Sequence, residues 1–379
     1  MKQFIKKLLP QNPFARSVSV LAGGTALAQS IVVFASPLLT RLYSPDDFGI
    51  LAVYASLLGI IGVVASLRYE LAIPLPAKDE KAAHVVILSL IVVLGVTLLV
   101  FMMVLFYRDL FASLLNTPAL AVYLWFLPVG ILLMGTYQVL NYWAIRTYAF
   151  SAIAQTRLTQ SIGMMIVQLG GFLLGPVALL LGHITGQAAG STSLGMLAIR
   201  RRWSVFQKVR LVDLAQAARR YRRFPLFATW AGVFNTAGTH IPPLFFATFF
   251  SSSAAGLYML AHRVLSMPLV LLGSAIGDVF LSNAADARRN NTLGPLVKNL
   301  HHTLAQISMP PALILFIIGP ELFILVFGPD WVKAGEVARW LAPMLYVQFI
   351  VSPLSRIFII LERQLLGMLL QGILLAARL

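Results

Sequence analysis

The chain has 379 residues, of which 59% are hydrophobic and 11% charged, with a formal net charge of +16 and no cysteine. Soluble domains of this length carry about twice that share of charged residues, so the composition excludes an ordinary soluble protein. The absence of thiols from the sequence excludes disulfide frameworks and thiolate metal sites.

Ten or eleven stretches are apolar for about the 20 residues that a helix needs to cross the hydrocarbon core. They lack the alternation of barrel strands, so we predict an all-α polytopic membrane protein. The predicted spans are residues 17–41, 48–73, 82–107, 119–145, 151–174, 177–199, 225–250, 254–281, 296–319, 337–361 and 364–379. The first apolar run is too long for a signal peptide, and we expect it to be retained.

The segment Arg200–Arg223 divides these spans and carries nine Lys or Arg against one acid. Such segments are retained in the cytoplasm, and we place the amino terminus on the same side. With this orientation, 22 of the 29 Lys and Arg fall in cytoplasmic segments and four in external ones. Contact with membrane lipids of the anionic cytoplasmic leaflet accounts for the basic excess, and we expect no nucleic-acid partner.

Short motifs recur in the same order in the two halves. Phe48–Leu51 matches Ala255–Tyr258, Asp109–Phe111 matches Glu321–Phe323, and Leu127–Pro128 matches Ala342–Pro343, at offsets of 207, 212 and 215. Copies of six helices keep the same orientation, which is the parallel type of transporter repeat. We predict a six-helix bundle at 1–199, a basic cytoplasmic linker at 200–224, and a second, shortened bundle of about five helices at 225–379.

Three stretches are more specific: PLLTRLYSPDDFGILAVYASLLGI (37–60), SLRYELAIPLP (66–76) and AGLYMLAHRVLSMPLVLLGSAIGDVFLS (255–282). They resemble the polysaccharide-biosynthesis flippases, the Wzx-type O-antigen and exopolysaccharide transporters of the multidrug/oligosaccharidyl-lipid/polysaccharide (MOP) superfamily. The resemblance implies two six-helix bundles around a central cavity that opens alternately to each side. The implied cargo is an oligosaccharide on undecaprenyl pyrophosphate, moved from the cytoplasmic to the periplasmic leaflet of a bacterial inner membrane.

Ionisable side chains inside a span are costly and usually mark a polar path. Arg263 with its neighbour His262, and Arg356, lie well inside apolar stretches. A guanidinium stays charged and can bind two phosphate oxygens at once, so we predict that these residues line the cavity and bind the pyrophosphate. Bracing of neighbouring helices is the alternative role.

Further candidates lie nearer the ends of the spans, where anchoring in the membrane is the competing role; they are Arg41, Arg68, Glu70 and Arg146. Amide and imidazole groups can bind sugar hydroxyls or join helices, and the candidates are Asn235 and His240, with Asn141, Gln160, Gln168 and His183. Asp278 is the candidate for coupling to H⁺ or Na⁺, with anchoring as the alternative. His301–His302 lacks companions at ligand spacing, so we expect no metal site and no cofactor.

Two other classes of function compete with a flippase. An ion-coupled drug exporter of the same superfamily would favour acidic and aromatic cavity residues. A polysaccharide polymerase or ligase would need a long external loop with reactive polar residues, whereas the longest predicted external stretches are RDLFASLLNTPAL and PELFILVFGPDWVKAGE. We therefore expect a transporter rather than an enzyme, acting beside polysaccharide polymerase machinery.

Overall fold

The computed structural model describes residues 13–207, 209–354, 357 and 361. Within them the chain is helical and contains no strand, which confirms the all-α fold class. The helices are α1 Pro13–Leu42, α2 Pro45–Val64, α3 Asp79–Leu114, α4 Phe126–Arg146, α5 Phe150–Gly170, α6 Pro176–Phe206, α7 Leu211–Arg220, α8 Thr229–Phe249, α9 Ser252–Arg289, α10 Leu293–Phe327 and α11 Val332–Leu354. Short helical turns occur at Tyr69–Ala72, Leu120–Tyr123, Phe172–Leu174, Phe224–Ala228 and Pro329–Trp331.

The described helices make this a multi-pass membrane protein. Five segments are long and apolar enough to cross a membrane: Ser19–Leu42, Pro45–Val64, Asp79–Leu114, Leu293–Phe327 and Pro329–Leu354. The helices α4, α5, α6, α8 and α9 have 21 residues or more, which is also sufficient length for a span. The predicted last span, 364–379, lies outside the described residues.

Several helices do not end where the predicted spans end. The predicted external stretches 108–120 and 320–336 are largely helical, because α3 and α10 continue past the predicted span ends and α11 begins before its predicted span. The predicted linker likewise contains the end of α6 and all of α7. A helix continues until its backbone hydrogen bonding is interrupted, so its ends need not coincide with the limits of a membrane span. At the predicted span 48–73 the helix is shorter than predicted, because α2 already ends at Val64.

Contacts group the chain into two units. Unit 1 contains the chain up to Ala35 and Ile50–Ser252, and unit 2 contains Ser36–Gly49 and the chain from Ser253 onwards. The grouping follows packing rather than chain order, since the helix α8 belongs to unit 1. It divides the chain differently from the predicted bundles, whose duplication stays a prediction.

The core of unit 1 lies between α3, α4 and α6. Val86, Val93, Val139, Trp143 and Leu194 are buried together there. The amphipathic helix α7 adds Ala217 to this core and buries Leu214, while its Arg219 and Arg220 remain exposed. The predicted basic linker is therefore a helix docked on unit 1, and its apolar residues anchor it there.

In unit 2, the motif SPDD starts α2 by local hydrogen bonds. Ser44 donates its backbone N–H and its hydroxyl to Asp47 Oδ2, each at 2.9 Å, and Asp47 N–H returns a bond of 3.2 Å to Ser44 Oγ. Pro45 occupies the first helical position, where its missing N–H costs nothing. These residues fix the direction in which α2 leaves the turn.

Trp331 links the turn between α10 and α11 to the start of α2. Its indole is fully buried, meets the Phe48 ring edge-on at 4.9 Å, and donates from Nε1 to the Thr40 carbonyl at 2.9 Å. Thr40 and Trp331 are 291 residues apart in the chain. The two stretches predicted to be external, around Ser44 and around Trp331, are thus joined at one end of the helices.

The helix α10 bends at Ile318, before Pro320. Pro320 lacks an N–H and cannot continue the ladder. Arg339 of α11 donates from Nη2 to the Ile317 carbonyl at 2.8 Å, which supplies a hydrogen bond beside the bend. A Cβ on Gly335 would lie 2.7 Å from the Gly319 oxygen, so only glycine permits this approach of α10 and α11.

Gly256 and Gly49, which the predicted repeat pairs with each other, pack directly together. A Cβ on Gly256 would clash with the Pro45 carbonyl oxygen and lie 2.7 Å from Gly49 N. Both clashing atoms are backbone, so they cannot move aside as a flexible side chain would. The start of α9 therefore reaches the start of α2 only because residue 256 has no side chain.

We expect Gly256→Ala to destabilise the protein by about 1–3 kcal/mol, because the added methyl forces α9 away from α2. The control is Gly95→Ala in α3, where a Cβ would meet open space. Thermal unfolding of both purified variants is the measurement. Equal melting temperatures would mean that α9 is not seated against Pro45 and Gly49.

Candidate functional site

Unit 1 has a partly open polar cavity of ≈ 210 Å³ between α1, α4 and α5. It is lined by Thr25, Gln29, Tyr137, Arg157, Gln160 and Ser161. Arg157 lies seven residues after the start of α5, which places it about two turns inside that helix. A guanidinium at this depth requires a wet or polar environment, and the cavity supplies one.

Two buried polar atoms at this cavity, Tyr137 OH and Arg157 Nε, make no hydrogen bond of good geometry to the described residues, although the two side chains interact with each other. Asn141 Oδ1, one turn after Tyr137 on α4, is likewise buried without a hydrogen-bond partner among the described residues. Buried polar groups are normally satisfied, so unsatisfied ones in a cavity indicate that water or a ligand hydroxyl binds there. A cation, a phenol and amides provide donors and acceptors in one place.

A glycine of α6 makes room for this cluster. A Cβ on Gly190 would clash with the Gln160 amide and lie 2.9 Å from the Tyr137 ring. Four residues earlier, a Cβ on Gly186 would lie 3.0 Å from the Gln160 carbonyl oxygen. The two glycines lie on one face of α6, because residues four apart are neighbours on a helix. This face lets the long polar side chains of α4 and α5 lie inside the unit.

Sequence reasoning missed Arg157 as a cavity residue. It is one of the 22 basic residues that the predicted topology assigns to cytoplasmic segments. The available signal was its position in α5, where TRLTQS places polar residues on successive helical turns. Gln160 was predicted to bind sugar hydroxyls or join helices, and the structure places it at the cavity.

Ser66, Arg68 and Glu70 meet in the turn that follows α2. Leu67 and Arg68 have φ of 48° and 61°, a left-handed conformation that is unfavourable for residues with side chains. The turn brings the buried Glu70 carboxylate to the Ser66 hydroxyl, which donates to Oε2, and to Arg68 Nη1 at 3.6 Å from Oε1. Burial raises the pKa of Glu70, while the Ser66 hydrogen bond and the Arg68 charge oppose that rise.

The helix α8 packs against this turn and against α2 through two glycines. The Arg68 guanidinium lies on Gly232, where a Cβ would be 2.7 Å from Nε. The His240 ring lies on Gly59, where a Cβ would be 2.9 Å from Cδ2. Arg68, Glu70 and His240 therefore all have helix-packing contacts. Asn235 is exposed on α8.

Arg146 holds the loop that leads into α3. Its side chain is only 10% exposed, and Nε and Nη2 donate to Asp79 Oδ1 at 3.1 and 3.0 Å. Nη1 donates to the carbonyls of Pro76 and Pro74 at 2.6 and 3.2 Å. All three nitrogens are thus engaged by the protein itself. This geometry gives Arg146 a structural role, and its predicted contact with substrate stays a prediction.

Gln168 and His183 also belong to unit 1, where Gln168 donates to the Leu179 carbonyl at 2.9 Å and His183 meets the Tyr54 ring edge-on at 6.2 Å.

Four further candidates, Arg41, His262, Arg263 and Asp278, lie in unit 2. Arg41 is exposed in the last turn of α1. His262 stacks on Tyr258 at 5.6 Å, and Arg263 follows it, half-buried and eleven residues into α9. Asp278 belongs to the same helix, whereas Arg356 lies outside the described residues. Among the described residues, no group of three or more His, Asp or Glu could hold a metal ion.

We expect Arg146→Ala to lower the melting temperature by about 5 °C or more, because it leaves the Asp79 carboxylate and the loop carbonyls without their donor. Arg222→Ala is the control, since Arg222 is exposed, and we expect a shift of about 1 °C. Thermal unfolding of the purified variants is the measurement. A similar shift for both would contradict the structural role of Arg146.

Comparison with known proteins agrees with this architecture. A family model described as "Polysaccharide biosynthesis protein" matches residues 38–336, which is well over half of the chain. The teichuronic acid biosynthesis protein TuaB of Bacillus subtilis (strain 168) is 22% identical over 179 residues. That match covers 46% of this chain, which spans only 36% of the length of this curated relative.

Two solved structures share the fold. An inward-facing multidrug resistance MATE family transporter of the MOP superfamily superposes with a TM-score of 0.60 and 14% identity, over 89% of this chain and 88% of that one. A crystal structure of a MATE mutant gives a TM-score of 0.50 and 15% identity, over 90% and 82%. The chain therefore belongs to the polysaccharide biosynthesis protein family, as its motifs predicted, and it is a multi-pass membrane protein with the fold of MATE transporters.

Proposed function

We propose that the protein is a flippase that moves an oligosaccharide on undecaprenyl pyrophosphate from the cytoplasmic to the periplasmic leaflet of a bacterial inner membrane. The observation that carries the proposal is a transporter fold in a chain of a polysaccharide biosynthesis family. The similarity to a teichuronic acid biosynthesis protein supports a glycan as cargo.

The chemistry of such a cargo agrees with the polar interior. Sugar hydroxyls and pyrophosphate oxygens lose water when they enter the membrane, so the protein must supply donors and cations there. The polyprenyl tail can remain in lipid. Arg157 with Tyr137 and Gln160 provides such groups inside unit 1. Arg263 provides a second cation within a long helix of unit 2.

We assign Arg157 and Arg263 to binding of the anionic or polar part of the cargo. A guanidinium keeps its charge inside a protein and binds phosphate oxygens in pairs. Release of the cargo also has to remain possible, which favours a few separated cations over a dense cluster. We leave Arg146 out of this proposed set, because its donors are occupied by Asp79 and the loop carbonyls.

The two competing functions remain distinguishable by experiment. A drug exporter would share the MATE fold, whereas a polymerase or ligase would lengthen or transfer the glycan. We propose that the protein makes and breaks no covalent bond. Purified protein in vesicles should move a lipid-linked oligosaccharide between leaflets without changing its mass. A product of altered mass would indicate an enzyme, and efflux of dyes without glycolipid movement would indicate a drug exporter.

We expect Arg200–Arg223 to face the cytoplasm and the start of α9 to face the opposite side. The chain contains no cysteine, so single cysteines at Gln207 and at Ser252 can be labelled without background. Labelling of intact cells with a membrane-impermeant thiol reagent should modify the Ser252→Cys protein and leave Gln207→Cys unmodified until the cells are opened. Labelling of both from outside would overturn this topology.

We expect Arg157→Leu to abolish export of the polysaccharide at normal protein level, because it removes the cation from the cavity. Arg157→Lys should restore only part of the export, since it keeps the charge but loses the paired donors. Arg263→Ala and Arg263→Lys should behave in the same way. The measurement is surface polymer in cells that carry only the variant, with Arg222→Leu as the control. Normal polymer with Arg157→Leu would exclude that residue from the path.

A further inference from the structure

A second cavity of ≈ 450 Å³ opens where the chain enters α3. The loop before α3, the first turns of α3 and one side of α7 form its walls. The 36 residues of α3 extend about 54 Å, which exceeds the thickness of the hydrocarbon core. Because this end of α3 begins with Asp79, Glu80 and Lys81, the cavity lies at the membrane surface.

The charge of this cavity is unbalanced. Lys78 immediately before α3, Lys81 in its first turn and Arg220 from α7 line it and are exposed to solvent. Asp213 is its one lining acid, and that carboxylate is already engaged. It accepts the Arg210 backbone N–H at 3.3 Å and lies 3.7 Å from His84 Nε2. Three permanent cations therefore face one acid that has partners of its own.

The walls hold these cations in fixed positions. The Arg146 side chain binds Asp79 and the carbonyls of Pro74 and Pro76, which fixes the loop immediately before Lys78. The helix α7 is held on unit 1 by buried Leu214 and by the Tyr69 hydroxyl, which donates to the Ala218 carbonyl at 3.4 Å. The cavity is therefore a built feature of unit 1 rather than a chance approach of mobile side chains.

The lining also contains an apolar part. Leu75 lines the cavity and is 61% exposed. The Tyr221 ring also lines the cavity, and the Arg220 guanidinium lies 5.7 Å from the centroid of that ring. A phosphate alone would use the cations and leave Leu75 in water. A phospholipid would use both, with its phosphate at the cations and the start of an acyl chain along Leu75.

We infer that this cavity is a binding site for the phosphate group of an anionic membrane lipid. The inference is separate from the proposed transport activity, because none of its residues belongs to the polar cavity around Arg157. Bound lipid would link α3 to α7 by joining Lys81 to Arg220. It would thereby stabilise the docked position of the segment between α6 and α8.

The test uses the purified full chain in a neutral detergent and a fluorescent short-chain phosphatidylglycerol, with binding followed by anisotropy. The variant Lys81→Gln/Arg220→Gln removes two lining cations. The control Arg219→Gln/Arg222→Gln removes two exposed cations of the same segment that do not line the cavity. We expect the first pair to weaken binding about tenfold or more and the control to change it less than about twofold.

Competition identifies the source of the phosphate. Unlabelled phosphatidylglycerol should displace the probe, whereas inorganic phosphate and phosphatidylcholine at the same concentration should not. Displacement by inorganic phosphate would assign the site to free phosphate and overturn the lipid assignment. An equal loss of lipid binding in the two variants would mean that only the overall charge matters, which would overturn the proposed site. Thermal unfolding of each variant, with and without phosphatidylglycerol, confirms folding and should give lipid-induced stabilisation in wild type and control only.

Discussion

The constraint on which this structure depends is that lipid offers no hydrogen bonds, so enclosed polar groups must find partners inside the protein. Arg146 donates hydrogen bonds to carbonyls of the loop before α3. Arg339 donates a hydrogen bond to the Ile317 carbonyl beside the bend in α10. Glu70 is buried against Ser66 and Arg68. Each of these side chains joins segments that hydropathy alone would treat as independent spans.

The arginines differ in how many of their nitrogens the protein itself engages. Arg146 uses all three of its nitrogens within the protein, so it has little left for a ligand. Arg157 has a buried Nε without a hydrogen-bond partner among the described residues, and it lines a polar cavity together with Tyr137. An unpaired Nε does not by itself mark a binding residue, because Arg68 and Arg339 also have one and make contacts that join helices and turns. The position of Arg157 at the cavity is what sets it apart.

Glycine positions explain how helices with large polar side chains pack closely. Gly190 accommodates Gln160 and Tyr137, Gly232 accommodates Arg68, and Gly59 accommodates His240. In membranes small residues allow close helix approach, and here they also leave room for polar groups to lie between helices. The polar interior and the tight packing of unit 1 therefore have the same origin in the sequence.

The sequence by itself determined the all-α membrane architecture, because this follows from composition and from the length of the apolar stretches, and its motifs indicated the family. The helix start at Pro45 precedes the predicted span 48–73, although its hydrogen bonds join residues only three apart. Only the tertiary structure decided that Arg157 lies in a cavity, that Arg146 holds Asp79, and that Trp331 binds the Thr40 carbonyl. The reason is physical: in a membrane helix the lipid-facing and the packed sides are both apolar, so periodicity does not distinguish them. The partners of a buried polar group come from distant segments, and their meeting depends on the packing of whole helices.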